Sequence, residues 1–243
     1  MINSSQAIAV LEEMYRFHAS WASGLELACH KGCAACCTRN VTITGLEGQL
    51  IVHGLWKTSQ PNRLKQRLQV DGPIGRPAMT TNEWAGNCLE GRDIGDREID
   101  QVLTPCPFLD QNQSCSIYPL RPFACRCFAS NVDCAGTGMA EQPDILMEIN
   151  TVTLQLIEHL DRGGYWGNIL DVLSILIGKN ESGQVSPAEP GAVKADRYLR
   201  RARPLPGFLV MPDQQAAVQA YLTDLFALRI GRSTIGALLE MKV

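Results

Sequence analysis

The distribution of cysteine constrains this chain more than any other feature. Ten of its 243 residues are cysteines, and all of them lie between Cys29 and Cys134. The first residues lack the basic region and apolar core of a signal peptide, so we expect a cytoplasmic protein with reduced thiols. Crowded reduced thiols indicate metal or redox chemistry rather than disulfides. The chemistry is therefore expected in the first part of the chain.

The spacing of the cysteines divides them into two groups. Cys29, Cys33 and Cys36 are separated by gaps of three and two residues, which let thiolates converge on one centre. Cys37 follows directly, and adjacent side chains tend to diverge, so either one of this pair serves a second centre or the site is polynuclear. A separate segment supplies the second group: Cys106, Cys115 and Cys125. We expect the two groups to meet in space.

Thiolates are soft ligands, and they select zinc, monovalent copper or iron–sulfur clusters. The expected cofactor is an iron–sulfur cluster or zinc, and the adjacent pair Cys36–Cys37 favours the cluster because it suits a multinuclear centre. The predicted function is a metal-binding protein with a redox or electron-transfer role. A purely structural zinc, fully coordinated by thiolates, is the alternative from a different class.

The residues around the cysteines resemble a known family. The first run is followed by Val41-Thr42-Ile43-Thr44 and by Glu47. The second group lies within three short motifs: Pro105-Cys106-Pro107-Phe108-Leu109, Cys115-Ser116-Ile117-Tyr118, and Arg121-Pro122 ahead of Cys125-Arg126. Together these motifs, over residues 28–128, resemble the CxxCxxCC cysteine-cluster family, also called the YkgJ family, whose members are described as zinc- or iron-chelating proteins.

The resemblance implies that seven cysteines bind metal: Cys29, Cys33, Cys36, Cys37, Cys106, Cys115 and Cys125. Three more fall outside the family pattern. We keep Cys127 and Cys134 as candidate metal ligands, since they could serve a second cluster, and leave Cys88 open. A related cysteine cluster occurs in flagellin lysine methylases, so the resemblance also keeps a cluster-dependent enzyme as an alternative.

Other polar residues near the cysteines have structural and functional interpretations. Thr44 and Glu47 have the spacing of a helix capping box, which explains Glu47 without chemistry; a metal ligand or catalytic base is the alternative. Arg121 and Arg126 could stabilise thiolate charge, or they could form surface salt bridges.

The rest of the sequence predicts a mainly α fold, with a helical domain around an irregular cysteine-rich metal-binding segment that carries a small β-hairpin. A first helix over residues 5–27 should deliver Cys29 to the site. Residues 71–97, rich in Gly, Pro, Asn and Asp, should be a long connection that admits substrate. Residues 1–140 are expected to form the cysteine-cluster region. Residues 141–243 should form helices that pack on it as one unit and cover the site.

Composition excludes two classes of partner. The formal charge of −3 gives no electrostatic footprint for nucleic acid. No stretch of eighteen apolar residues is present, so we expect no membrane span. The expected partner is the metal ion or cluster, and a protein partner stays open.

Overall fold

The computed structural model describes residues 3–30, 32–57, 61–93, 102–179, 185–187 and 197–241. The α-helices have these bounds: α1 Ser4–Ala22, α2 Gly45–Lys57, α3 Pro61–Leu68, α4 Thr81–Leu89, α5 Phe123–Cys127, α6 Cys134–Thr137, α7 Asp144–Leu160, α8 Ile169–Leu176, α9 Gln215–Ala227 and α10 Ile235–Leu238. Short 3-10 helices lie at Tyr118–Leu120 and Pro212–Gln214. Helix predominates, and the predicted mainly α fold is confirmed.

The strands are short and all of their pairings are antiparallel. Their bounds are β1 Thr42–Thr44, β2 Tyr165–Asn168, β3 Ile177–Lys179, β4 Val185–Pro187, β5 Arg200–Arg201, β6 Arg229–Ile230 and β7 Ser233–Thr234. β2 lies between β1 and β5 in a three-stranded sheet, with Thr44 opposite Trp166. Because β1 runs directly into α2 and β2 directly into α8, this sheet fixes where both helices begin.

Local sequence sets the beginnings of the helices. At α1, the Asn3 side chain accepts a hydrogen bond from the Gln6 N–H and the Gln6 side chain accepts from the Asn3 N–H. At α2, the Thr44 hydroxyl accepts from the Glu47 N–H at 3.2 Å, and the Glu47 carboxylate accepts from the Thr44 N–H at 2.8 Å. These reciprocal bonds satisfy donors that the first helical turn leaves free. The predicted capping box of Thr44 and Glu47 is confirmed.

Two predicted segments were wrong. The helix expected over residues 5–27 ends at Ala22, where the Ser23 hydroxyl donates to the Ser20 carbonyl and Gly24 follows. The connection expected over residues 71–97 contains α4. The signal that could have revealed α4 is a second capping box, in which Thr80 and Glu83 exchange hydrogen bonds.

Two apolar clusters organise the fold. The first, which we call the helical core, is formed mainly by α1, α7, α9 and α10; buried members include Leu11, Ile149, Leu156, Leu225 and Ile235. The second packs α2 and α8 against Leu64 of α3. Among the described helices, none combines the length and the apolar character that crossing a bilayer requires.

The cysteine-containing segments touch both clusters. Phe108 and Ile117 insert into the second cluster, whereas Phe123 and Cys127 of α5 are buried in the helical core. α1 also packs against α7, and Phe17 and Trp21 of α1 contact the Tyr221 ring of α9. The division of the chain at residue 140 stays a prediction.

Candidate metal centre

A cavity of about 770 Å³ lies between the two groups of cysteines. Eight thiols line it: Cys29, Cys33, Cys36, Cys37, Cys106, Cys115, Cys125 and Cys134. All ten cysteines of the chain are free thiols. The structure therefore brings both predicted groups, together with Cys134, to one place.

Backbone pairing joins the first cysteine segment, residues 28–39, to the second, residues 104–134. The Cys106 N–H donates to the Cys37 carbonyl at 2.9 Å, and the Arg39 N–H donates to the Thr104 carbonyl at 3.1 Å. A bridge between Thr38 and Pro105 lies between these bonds. The pairing places Cys37 directly beside Cys106.

A tight hairpin brings Cys115 to the same edge of the cavity. Leu109 pairs with Cys115, and the Ser116 N–H donates to the Phe108 carbonyl at 2.8 Å. At the turn, one carboxylate oxygen of Asp110 accepts from two backbone N–H groups, at 2.8 and 2.9 Å. Such hydrogen bonds from an Asp side chain to nearby backbone N–H groups stabilise a turn. The small hairpin expected in this part of the sequence is present.

α5 adds Cys125 from the other side. The position of this helix is fixed by Glu47, whose carboxylate accepts from the Phe123 N–H at 2.8 Å. Cys125 is close enough to Cys106 and Cys115 for their charges to interact, and burial raises the pKa of its thiol.

A different contact positions Cys29. The Ala28 N–H donates to the Ser130 carbonyl at 2.8 Å, and the Ser130 N–H donates to the Cys29 sulfur at 3.3 Å. Residues 26–30 are not helical, so the expectation that the first helix delivers Cys29 was wrong. Ser130 performs this role, and its only sequence signal is its position between Cys127 and Cys134.

Cys36 and Cys37 lie side by side at the middle of the lining. The two thiols interact, and this interaction raises the pKa of Cys36 and lowers the pKa of Cys37. The pair lies in a turn that is closed by the Cys37 N–H and the Ala34 carbonyl, at 3.0 Å. That Cys36 and Cys37 do not bind one ion together stays a prediction.

The pKa values of the thiols determine how metal affinity depends on pH. Burial is the main cause that raises the pKa of Cys29, Cys106 and Cys115. These groups are protonated at neutral pH, and metal coordinates only the thiolate. Each such ligand must therefore release a proton on binding, and metal affinity rises with pH.

Arginines supply positive charge around the cavity. Arg121 lines it and interacts with Cys36, Cys115 and Cys125 in the direction that lowers their pKa. Its guanidinium lies 3.6 Å from the centre of the Tyr118 ring. The predicted proximity of Arg121 to thiolate charge is thus present in the structure.

The contacts of Arg126 stabilise the local fold. Its guanidinium donates to the carbonyls of Arg121 and Pro119, at 2.6 and 2.7 Å, and lies over the Tyr15 ring. Burial lowers its pKa. Arg126 therefore closes the turn that leads into α5.

Sequence reasoning missed Arg67. This residue of α3 donates to the carbonyls of Pro107 and Leu109, the latter at 2.6 Å, and so attaches the hairpin to the helices. Its positive charge also opposes the rise in pKa that burial causes at Cys106 and Cys115. No local motif marks it, because the contact depends on the tertiary packing of α3.

The structure places two cysteines away from the cavity. Cys127 is buried in the helical core, where its thiol lies 3.7 Å from the Ala124 carbonyl and burial raises its pKa to about 12. Cys88 is on α4. Residues 71–93, the described part of the segment expected to admit substrate, do not line the cavity. Residues 94–97 lie outside the described residues. The C-terminal helices likewise do not cover the site: among the described residues after 140, Ile169 alone contributes to the lining.

Glu47 has a structural role. Its buried carboxylate accepts from the Tyr15 hydroxyl at 2.7 Å, in addition to Phe123 and Thr44. Burial and the adjacent carboxylate raise the pKa of Tyr15 well above its usual value, so the hydroxyl stays a donor. Glu47 thus ties α1, α2 and α5 together and does not line the cavity.

The donor set fits a thiophilic metal, although the thiols are not arranged around a common point. Within the described ranges, no three Cys, His, Asp or Glu side chains are placed to hold an ion as they stand. The eight thiols nevertheless share one cavity, and soft donors of this kind suit zinc or an iron–sulfur centre. Metal binding would therefore require the thiol side chains to change conformation so that their sulfurs come together.

Comparison with known proteins agrees with this chemistry. The model of the CxxCxxCC family, a domain proposed to chelate zinc or iron, matches residues 28–144. The family resemblance drawn from the cysteine motifs is thereby confirmed for this part of the chain, and the match supports metal chelation. No curated protein and no solved structure matches the chain.

Proposed function

We propose that the protein holds an iron–sulfur cluster in the thiol-lined cavity and uses it in redox or electron-transfer chemistry. The observation that carries this proposal is the number of thiols. Eight line one cavity, and two of them, Cys36 and Cys37, are adjacent in the sequence. A structural zinc ion needs four ligands, so the donor set is better suited to a polynuclear centre.

The mouth of the cavity favours a reactive centre over a closed one. Leu103, Phe128 and Met139 line it and remain 75%, 49% and 71% exposed. Structural zinc sites are sealed by their ligands, whereas electron transfer requires an approach for a partner. The apolar mouth supplies such an approach.

Elemental analysis of anaerobically purified protein, combined with a visible spectrum, tests the proposal. We expect iron and acid-labile sulfide with the broad absorption of thiolate-to-iron charge transfer. Colourless, iron-free protein that contains zinc and unfolds with chelator would contradict it and assign the structural zinc alternative.

A cluster-dependent enzyme related to flagellin lysine methylases is a second candidate, because the cavity is large enough for a small molecule. A space of about 770 Å³ lies within the range of small-molecule sites. Calorimetry with S-adenosylmethionine, on metal-loaded protein, separates this candidate from an electron carrier. Absence of binding heat would rule the methylase interpretation out.

A further inference from the structure

We propose that the eight cavity thiols form two adjoining metal centres: Cys37, Cys106, Cys115 and Cys125 hold one, and Cys29, Cys33, Cys36 and Cys134 hold the other. This inference rests on one part of the proposed function, namely that the cavity holds a metal centre. It adds how many metal centres the cavity holds and which cysteines bind each of them. It also gives Cys134, which lies outside the cysteine motifs that carry the resemblance, a specific role.

The backbone assembles the first set without help from the second. The bond from the Cys106 N–H to the Cys37 carbonyl, at 2.9 Å, fixes one pair. The hairpin bridge between Leu109 and Cys115 adds the third thiol, and α5 adds Cys125. These contacts join Cys37 to residues 104–127, and two residues outside the second set, Glu47 and Arg67, fix α5 and the hairpin in place.

A separate contact assembles the second set. The two hydrogen bonds between Ala28–Cys29 and Ser130 align the start of the first cysteine segment with the chain that leads into α6, where Cys134 is the first residue. The Cys33 N–H donates to the His30 carbonyl at 3.1 Å, and this turn returns Cys33 toward Cys29.

The electrostatic neighbours of the thiols follow the same division. Apart from its chain neighbour Cys36, Cys37 interacts with Cys125, Cys106 and Cys115. The thiol neighbours of Cys29 are Cys33, Cys134 and Cys36. Each set contains four thiols, the number that completes a tetrahedral zinc site or holds one iron–sulfur cluster.

The two sets adjoin at Cys36 and Cys37, which are consecutive residues of the chain. Adjacent residues can belong to different centres only if those centres are neighbours, and the cavity that contains all eight thiols is continuous. The pair Cys36–Cys37 therefore marks the boundary between the centres. Cys127, buried in the helical core, belongs to neither.

Anaerobically purified full-length protein, without added metal, tests this assignment. Iron, zinc and sulfide per chain are measured for the wild type, Cys134→Ser and Cys125→Ser. Each variant should retain about half of the wild-type metal, because one four-thiol set stays complete. Alkylation with iodoacetamide, mapped by mass spectrometry, should then modify Cys29 and Cys33 in Cys134→Ser but leave Cys106 and Cys115 protected.

The reverse pattern of alkylation is expected for Cys125→Ser. Cys33→Ser provides a second variant of the Cys134 set, in case Cys134→Ser does not fold. Cys88→Ser is the matched control, because Cys88 is a half-buried thiol outside the cavity, and it should retain the full metal content.

Three results would count against the proposals in different ways. Full metal content in both Cys134→Ser and Cys33→Ser would overturn the second centre. Loss of all metal in either single variant would indicate one shared centre and would overturn the division. A wild type without iron or zinc, whatever the variants do, would instead overturn metal binding by the cavity, on which both proposals rest.

Discussion

The helical core and the cysteine segments are stabilised in different ways. In the core, α7 buries Ile149, Val152 and Leu156 completely against α1 and α9. The two cysteine segments are mostly irregular, and Cys29 and Cys36 are exposed. Apolar burial of this kind stabilises a fold by itself, whereas a ring of thiols gains stability only when metal binds.

The polar groups of the two regions show the same contrast. On α7, the buried Glu158 accepts from the backbone N–H groups of Asn82 and Arg203, at 2.8 and 2.7 Å. Gln155 accepts from the Leu209 N–H at 3.1 Å. These groups are satisfied within the protein. The cavity thiols are not grouped to hold an ion as they stand, so the core should fold without metal and the cysteine segments should not become rigid without it.

The largest expected effect comes from cutting the link between the two regions at Glu47. Glu47→Ala leaves the Tyr15 hydroxyl and the backbone N–H groups of Thr44 and Phe123 buried without an acceptor. Each such donor costs about 1–3 kcal/mol, so we expect a loss of about 3–5 kcal/mol in the free energy of unfolding by urea. Glu12→Ala, an exposed glutamate of α1, is the control and should change stability by less than about 0.5 kcal/mol. An equally small effect of Glu47→Ala would show that Glu47 does not hold the regions together.

A truncation inside the helical core should destabilise the protein without altering the metal site. Leu156 is 0% exposed, and Leu156→Ala should lower the free energy of unfolding by about 2–4 kcal/mol through lost burial and a residual cavity. The metal content of the folded protein should equal that of the wild type. Leu103→Ala, at an exposed apolar position, is the control for stability. Loss of metal in Leu156→Ala would mean that the core and the site are not separable.

Metal removal should act on the other region. Chelation is expected to increase amide hydrogen exchange in residues 28–39 and 104–134 by roughly tenfold or more, because these segments lose their cross-links. Amides of α7 should change much less. Exchange is followed by mass spectrometry before and after chelation, and re-addition of metal is the control for reversibility. A uniform loss of protection along the chain would contradict the contrast between the two regions.

The contrast also explains which parts of the fold could be predicted from sequence. The capping box at Thr44 is a local signal, and helices were expected after residue 140; the capping box and α7, Asp144–Leu160, are both present. α4 was missed because its Gly- and Pro-rich surroundings outweighed the capping box of Thr80 and Glu83. The end of α1 was misplaced because apolar spacing continues past Ala22 in a segment that is no longer helical.

The sequence predicts which kind of atom binds metal at the site. It is less informative about which cysteines lie next to one another in space. Soft ligand chemistry follows from the cysteines themselves. The proximity of Cys134 to Cys29 does not follow from the sequence. It depends on two hydrogen bonds between Ala28–Cys29 and Ser130, which lie far apart in the chain. The burial of Cys127 in the core was likewise invisible, since free cysteine also behaves as a small apolar residue.

The smallest expected effect concerns charge at the cavity. Thiolates on a metal leave net negative charge, and Arg121 faces Cys36, Cys115 and Cys125 from the lining. Arg121→Gln removes this charge, so metal affinity measured by competition with a chelator should fall by roughly threefold, and by less at high salt, because exposed charges are screened. Arg121→Lys keeps the charge and should stay close to the wild type. Equal losses in both variants would assign Arg121 to packing over the Tyr118 ring rather than to the electrostatics of the thiolates.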